Sequence, residues 1–207
     1  MQHIENFVFR FKAAILISLL LLTVVMGFFA SRLEMDAGYL KMLPVGHPYI
    51  DTFMQYSGAF GGGNRVIVVL EAKKGEIWTP EFLETLKKAT DDLFFIPGVA
   101  RHTVTSLWTP NTRYLGVTEE GLEAGDVIPA NYTPTTEGIN KVIENTLRAN
   151  LVGRLVATNF KSALIRAELL DYLPGTKQRL DFFDVADKLE KNLRAKYISD
   201  EIDVKIV

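Results

Sequence analysis

The sequence predicts an α+β protein in which one transmembrane helix precedes a domain built from two βαβ halves. Three observations favour this class. Residues Ala13–Ala30 form an apolar run without a charge. After Arg65, short β-branched runs alternate with amphipathic helical patterns. Apart from an insertion at about 108–153, the order is strand, helix, strand, strand, helix, strand, and this is the order of a ferredoxin-like fold.

The predicted organisation has four parts. They are a cytoplasmic lead-in at 1–12, the transmembrane helix at 13–30, a connector at 31–64 and an extracytoplasmic ferredoxin-like domain at 65–207. Within the connector, a short helix is predicted to start after Pro48.

A helix over Ala13–Ala30 is long enough to cross a bilayer. Its only hydroxyl side chains are Ser18 and Thr23. At about 1.5 Å per residue, about 18 residues span about 27 Å, close to the roughly 30 Å hydrocarbon core. Arg10 and Lys12 precede the run, and the positive-inside rule therefore favours a cytoplasmic N-terminus. The rest of the chain then lies outside the cytoplasm.

A cleaved secretory signal is the alternative explanation of this run. Its apolar region is normally 7–15 residues long and is followed by small residues at the cleavage site. The run here is longer, and Phe28 and Phe29 occupy the positions where small residues are required. We therefore expect an uncleaved helix. A mature N-terminus near Arg32 would exclude it.

Composition narrows the classes of function. The chain has 207 residues, a formal net charge of −2 and 48% hydrophobic residues, which leaves one domain, or one domain with an insertion, after the span. The near-neutral charge gives no support to nucleic-acid binding, which normally shows as a clustered basic face. The chain has no cysteine, so a disulfide framework and thiolate chemistry are excluded.

The first half of the domain has clear local signals. Val66–Leu70 predicts a buried central strand. Thr79-Pro80 predicts a helix start, because a hydroxyl cap precedes a proline at the first helical position. Pro97-Gly98 ends that helix, and a second strand is predicted over Val99–Leu107. Residues 108–134 are predicted to form loops or short strands, because their prolines and glycines break any long element.

The second half repeats the pattern. The predicted elements are a helix over Thr136–Ala149, strands over Gly153–Thr158 and Ser162–Leu170, a helix over Lys177–Tyr197 and a strand over Ile202–Val207. The last strand stops without a following turn, and we therefore expect the chain to be part of a longer protein.

Catalytic and metal chemistry have no support in the sequence. His3, His47 and His102 lie far apart, and no metal-ligand spacing such as His-x-x-x-His occurs. There is no Gly-x-Ser-x-Gly motif, and so few histidines give little support to a Ser-His-Asp site. We therefore predict that the chain is not an enzyme and has no catalytic, cofactor-binding or metal-binding residues. Its substrate-binding residues stay undefined.

Several weaker patterns have ordinary structural explanations. The run Gly61–Asn64 lacks the Lys-Ser/Thr of a phosphate loop, so it predicts a flexible entry into the first strand. The adjacent pairs Asp91-Asp92 and Glu119-Glu120 predict solvated surface, since neighbours on a helix face different ways. Trp78 and Trp108 are predicted to pack, with a role in a substrate cleft as the alternative.

Two short motifs accompany the single membrane helix and the large loop that follows it. Leu43–Tyr49 is similar to a Leu-Pro-x-x-His-Pro stretch that leads into a Phe-Gly-Gly, here Phe60–Gly62, and a first strand. Leu155–Ala163 is similar to a Leu-Val-Ser-x-Asp-x-x-Ala segment, with Ala157 in place of the serine and Asn159 in place of the aspartate. In this order, these features resemble the N-terminal part of transporters of the resistance–nodulation–division superfamily. The branch that fits best contains the mycobacterial large membrane proteins and the hopanoid transporters.

The resemblance implies a role in transport. In that branch the first extracytoplasmic loop forms half of a porter region made of ferredoxin-like subdomains, and lipid or other hydrophobic substrates pass through clefts between them. The implied partners are the lipid bilayer, the remaining transmembrane helices and the second porter loop. Assembly into a homo-oligomer is a further possibility that the resemblance leaves undecided. Proton coupling in the family uses carboxylates in later helices. The charge-free span of this chain therefore does not couple a proton gradient by itself.

The leading hypothesis is the N-terminal part of an exporter of lipids or other hydrophobic compounds in the bacterial inner membrane. The alternative is a single-span, membrane-anchored extracytoplasmic binding or interaction module. An anchored hydrolase is a third class, and no group of residues in the sequence supports it.

Overall fold

The computed structural model of the chain describes residues 9–33, 42–44, 46–60, 63–118, 121–173, 175–176 and 178–207. The predicted lead-in up to residue 8, connector positions 34–41, Gly61-Gly62 and Glu119-Glu120 lie outside the described residues. The chain divides into two compact units, Met1–Asp36 and Ala37–Val207. Together they contain both helices and antiparallel sheet.

The first unit contains helix α1, Lys12–Ala30. Among the described residues it is the one helix that is long and apolar enough to cross a membrane. The hydroxyls of Ser18 and Thr23 donate to the carbonyls of Ile15 and Leu19, each at 2.9 Å. These bonds satisfy both polar side chains within the helix, as an apolar environment requires.

The second unit contains, in chain order, α2 (Pro48–Phe60), β1 (Arg65–Ala72), α3 (Pro80–Phe95), β2 (Arg113–Thr118), β3 (Gly121–Asp126), α4 (Thr136–Arg148), β4 (Ser162–Glu168), α5 (Phe182–Leu189) and β5 (Ile202–Ile206). Helix α5 continues through a π-helical turn, Glu190–Arg194, into Ala195–Tyr197.

Helix starts follow the local sequence signals. The Thr79 hydroxyl accepts a hydrogen bond of 3.2 Å from the Phe82 N–H at the start of α3. Thr135 does the same for the Gly138 N–H at the start of α4. Each bond satisfies an amide that has no partner inside its helix. The helices predicted after Pro48, at Thr79-Pro80 and from Thr136 are confirmed.

β1 is the centre of a three-stranded sheet in the order β4-β1-β5, and both pairings are antiparallel. Val68 lies opposite Ile165 of β4, and Leu70 lies opposite Val204 of β5. Alternate residues of β1 are buried and the others are half-buried, except for exposed Arg65. The predicted central strand is confirmed, and one of its two faces carries the core.

The core is one cluster of aliphatic side chains. It joins the buried face of the sheet to α3, α4, α5 and the π-helical turn, and includes Val68, Leu70, Leu86, Leu93, Val142, Ile165, Val185 and Leu193. Burial of these side chains supplies the main driving force for folding of the second unit.

The predicted strand Val99–Leu107 is wrong as a continuous element. It pairs with β4 and the residue after it through two isolated antiparallel bridges, Val99 with Leu169 and Thr105 with Arg166. A 3₁₀ turn interrupts it, and there the Thr103 hydroxyl accepts a hydrogen bond of 2.9 Å from the Glu168 N–H. The Thr103 side chain therefore satisfies the Glu168 N–H, which would bond to a backbone carbonyl if the segment were a regular neighbouring strand.

Two further predictions need correction. Gly153–Thr158 is not a strand, because Gly153 adopts a φ of 81° and its N–H donates to the Val156 carbonyl at 2.7 Å in a tight turn. The helix predicted from Lys177 begins at Phe182, because the Asp181 carboxylate caps it. Lys177 itself lies outside the described residues.

Candidate functional site

A cleft of about 330 Å³ lies beside α3 in the second unit. Its walls come from Lys87 of α3, from the segment Leu107–Pro110 and from the segment that follows β3. Trp108 and Tyr132 supply its aromatic surface. A cleft that combines aromatic faces with a few polar groups is the usual form of a small-molecule site.

Trp108 is held in place from two directions. Its indole N–H donates to the Leu83 carbonyl at 2.8 Å, and its backbone N–H donates to Ser106 Oγ at 3.1 Å. Ser106 is fully buried and its hydroxyl lies 3.0 Å from that of Thr90. Lys87 Nζ lies 5.1 Å from the Trp108 ring centroid, within cation–π range. The cleft therefore presents a positive charge against a fixed aromatic ring.

Tyr132 forms the opposite aromatic wall. Its ring meets the Trp108 ring edge to face, with the centroids 5.6 Å apart and the planes at 86°. The Tyr132 hydroxyl is buried and has no hydrogen-bond partner among the described residues. Burial raises the pKa of this phenol, and the nearby Glu81 carboxylate adds a smaller rise. The group is thus a neutral hydroxyl kept from water.

A second cleft, of about 510 Å³, lies along the start of α4. It shares Pro129 and Tyr132 with the first, so the Tyr132 region separates two adjoining spaces. The chain between β3 and α4 is held by Asn145 of α4, whose side-chain amide donates to the Val127 carbonyl at 3.1 Å. Asn145 is buried, which makes this contact a fixed support for both clefts.

The β2–β3 hairpin is fixed through its polar face. Arg148 of α4 donates to the Glu123 carboxylate at 2.7 Å, and its guanidinium lies 4.4 Å from the Tyr114 ring centroid. The Tyr114 hydroxyl donates to the other Glu123 oxygen at 3.0 Å. The hydrogen bond from Arg148, followed by that from Tyr114, lowers the pKa of the Glu123 carboxyl.

The other face of the hairpin is apolar and exposed. The register pairs Leu115 with Ala124 and Val117 with Leu122, which puts all four side chains on one face. Leu115, Val117 and Leu122 are 67%, 85% and 75% exposed. An antiparallel sheet normally turns its apolar face inward. In this hairpin the clustered apolar side chains face solvent instead. An exposed apolar surface of this kind is typical of a contact site.

The two described histidines, His47 and His102, lie in separate segments. The His47 carbonyl accepts hydrogen bonds from the first turn of α2, His102 lies in the 3₁₀ turn, and His3 is outside the described residues. In the described part of the chain, no group of three or more His, Asp or Glu could hold a metal ion. The absence of catalytic, cofactor and metal residues stays a prediction.

The two tryptophans have different surroundings, and so do the two residues of the acidic pair Asp91-Asp92. Trp78 packs against Phe160, with the ring centroids 5.9 Å apart, as predicted. Trp108 both packs and lines a cleft. Asp91 is exposed as predicted, but Asp92 accepts hydrogen bonds from Lys196 and Tyr197 at 2.5 and 2.7 Å, and its placement as solvated surface is wrong.

Sequence reasoning missed Tyr132 and the apolar hairpin face. The alternation of Leu115 and Val117 with polar or small residues was an available signal for the hairpin. No short-range signal joins Trp108 to Tyr132, because they are separated by more than twenty residues.

No family model matches the chain. Over 91 residues it is 26% identical to a protein of Methanocaldococcus jannaschii whose name reads "Putative membrane protein". The match covers 41% of this chain and 24% of that protein, so the chain matches about a quarter of the relative's length. Together, this similarity and the apolar helix α1 indicate membrane association.

Proposed function

We propose that this chain is the N-terminal part of an inner-membrane exporter of lipids or other hydrophobic compounds, of the resistance–nodulation–division type. The observation that carries the proposal is the pairing of one apolar helix, α1, which carries no charge over residues 13–30, with an α+β unit that contains two adjoining clefts. In this proposal α1 is the first of several spans, the N-terminus is cytoplasmic, and the second unit is the first porter loop.

We further infer that the second unit has a ferredoxin-like core. The segment bridged to the outer side of β4 extends the sheet order to β5, β1, β4 and the Val99–Thr105 segment. Helix α3 joins the first strand to that segment, and α5 joins β4 to β5. Two βαβ units interleaved in one antiparallel sheet have this order. The hairpin and α4 are then the insertion.

The clefts and the hairpin fit a porter role. Volumes of about 330 and 510 Å³ lie within the usual range of small-molecule sites. Trp108 and Tyr132 offer apolar faces to a hydrophobic compound, and Lys87 offers a charge to a polar head. In the proposed exporter, the apolar face of the hairpin packs against the second porter loop, which removes it from water.

A dye-export measurement tests the proposal. Cells that lack the encoding gene and cells of the parent strain are loaded with a lipophilic fluorescent dye, and dye retention is followed with and without a protonophore. We expect the deletion strain to retain more dye, and the protonophore to remove the difference. Equal retention in both strains under every condition would overturn the proposal.

The alternative, a single-span binding or interaction module, is favoured by one observation, the exposed apolar face of the hairpin. Complementation separates the two. Under the exporter proposal, the 207-residue chain alone does not restore dye export, because its span has no ionisable group. Under the alternative, this chain alone restores whatever the deletion removes.

A further inference from the structure

A groove of about 300 Å³ lies on the face of the sheet opposite the core. Its lining includes Arg65 and Ile67 of β1, Arg166 and Glu168 of β4, and Arg154 from the turn before β4. It is separate from the two clefts beside α3 and shares no lining residue with them.

The strand register brings two of the arginines together. Arg65 lies opposite Glu168, and Ile67 lies opposite Arg166. Arg65 and Arg166 are therefore diagonal neighbours on one face, within reach of long side chains. On its other side Arg166 pairs with Thr105 through a bridge with two backbone hydrogen bonds of 2.8 and 2.9 Å, so its backbone is fixed.

The groove has more positive than negative charge. Three arginines line it, against one acidic residue, Glu168. Arg65 forms an ion pair with that residue, in which Arg65 Nε lies 3.5 Å from Glu168 Oε1. Within the described ranges, the side chains of Arg154 and Arg166 form no hydrogen bond or ion pair. The groove therefore has a formal charge of +2 (three arginines less one glutamate) in a chain whose net charge is −2.

Two free guanidinium groups on one groove favour a particular ligand chemistry. Each guanidinium presents a planar fork of donors that matches the oxygens of phosphate or carboxylate. A phosphate monoester offers three strong acceptor oxygens and a charge of about −1.5 to −2 at pH 7 to two forks, whereas a carboxylate offers two oxygens and a single charge. We propose that this groove binds a phosphate group, either free phosphate or the headgroup of an anionic amphiphile. The site goes beyond the exporter proposal, since it stands on the groove alone.

Phosphate titration of the full chain in a non-ionic detergent tests the site. Inorganic phosphate is added while the backbone amide resonances of Ile67, Thr105 and Arg166 are followed. We expect saturable shifts at these three positions. Arg154→Gln and Arg166→Gln should each weaken binding by about tenfold, which is about 1.4 kcal/mol, because each removes a charge-assisted hydrogen bond. Arg166→Lys keeps the charge without the fork and should fall between wild type and Arg166→Gln.

The control removes the same charge elsewhere. Lys74 and Lys161 are exposed, and Lys74→Gln/Lys161→Gln should bind phosphate as the wild type does. If the control weakens binding as much as Arg154→Gln/Arg166→Gln, or if folded wild-type chain shows no saturable shift, the proposal is overturned. An unchanged amide spectrum away from the groove shows that each variant is folded.

A second ligand separates the two sources of phosphate. Dihexanoyl phosphatidic acid, kept below its micelle concentration, is titrated under the same conditions. Binding at least about tenfold tighter than inorganic phosphate assigns the groove to an amphiphile headgroup, and equal binding assigns it to free phosphate. Loss of dye export without loss of phosphate binding, or the reverse, distinguishes failure of this site from failure of the exporter proposal.

Discussion

The indole N–H of Trp108 donates a hydrogen bond of 2.8 Å to the backbone carbonyl of Leu83, 25 residues earlier in the chain. This bond fastens the segment after the irregular Val99–Thr105 strand to helix α3. It also fixes the ring between Lys87 and Tyr132. One side chain thus connects the core to the wall of the cleft.

Trp108→Phe should lower the free energy of unfolding by about 1–2 kcal/mol, because it removes a buried hydrogen bond and weakens the contact with Lys87. Urea unfolding followed by circular dichroism measures the change. Trp78→Phe is the matched control, since among the described residues the Trp78 indole N–H has no hydrogen-bond partner. An equal loss in both variants would show that ring volume, and not the bond to Leu83, sets the effect.

Tyr132→Phe should leave the free energy of unfolding unchanged or raise it by about 1 kcal/mol. Its hydroxyl is buried without a partner, and removal of such a group ends an uncompensated desolvation cost. Tyr197→Phe should instead lower the free energy by about 1 kcal/mol, because it removes a 2.7 Å hydrogen bond to Asp92. If both substitutions destabilise equally, the Tyr132 hydroxyl has a partner in solution.

Hairpin attachment should depend on pH. The pKa of the Glu123 carboxyl is lowered from 4.5, first by the Arg148 hydrogen bond and then by that of Tyr114. A lowered folded-state pKa means that this stabilisation is present above pH 4.5 and is lost as pH falls through the lower, folded value. Ring NMR resonances of Tyr114 should titrate with a midpoint below 4.5, and Glu123→Gln should abolish the titration.

The control for this titration is Glu84→Gln. The pKa of Glu84 is also lowered, chiefly by its hydrogen bond with Lys88 on α3, but it lies outside the hairpin. Its removal should leave the Tyr114 titration unchanged. A Tyr114 midpoint at or above 4.5, or a titration that survives in Glu123→Gln, would contradict the arrangement seen at Arg148.

The apolar face of the hairpin should contribute little to stability of the isolated chain. Leu122 is 75% exposed and Leu83 is 0% exposed. Leu122→Ala should change the free energy of unfolding by less than about 0.5 kcal/mol, whereas Leu83→Ala should lower it by about 2–5 kcal/mol. Urea titration of both variants checks this. A large loss for Leu122→Ala would mean that the face is covered in solution.

Local signals predicted the parts of the fold that depend on neighbours in sequence. The Thr79 cap acts three residues away, and the apolar run at Val66–Leu70 forms the strand that its β-branched residues favour. Elements that depend on distant partners were harder to predict. The Val99–Leu107 segment is interrupted because Thr103 bonds to Glu168, 65 residues later in the chain, and β propensity carries no information about that contact.

The candidate sites were less predictable than the fold. The sequence offers a cleft role for Trp108 as an alternative, but its partner Tyr132 comes from beyond the hairpin. The hairpin side chains follow a period of two, and that period does not state which face turns inward. Here the inner face carries the buried Tyr114 and the Glu123 carboxylate that Arg148 binds.

In the exporter proposal, this chain is the membrane-bound beginning of a larger transporter. Immunoblotting of native membranes with antibodies against residues 65–207 tests it most directly. We expect one polypeptide several times longer than 207 residues that stays in the membrane after alkaline extraction. A protein of 207 residues or fewer, or one released by that extraction, would contradict it.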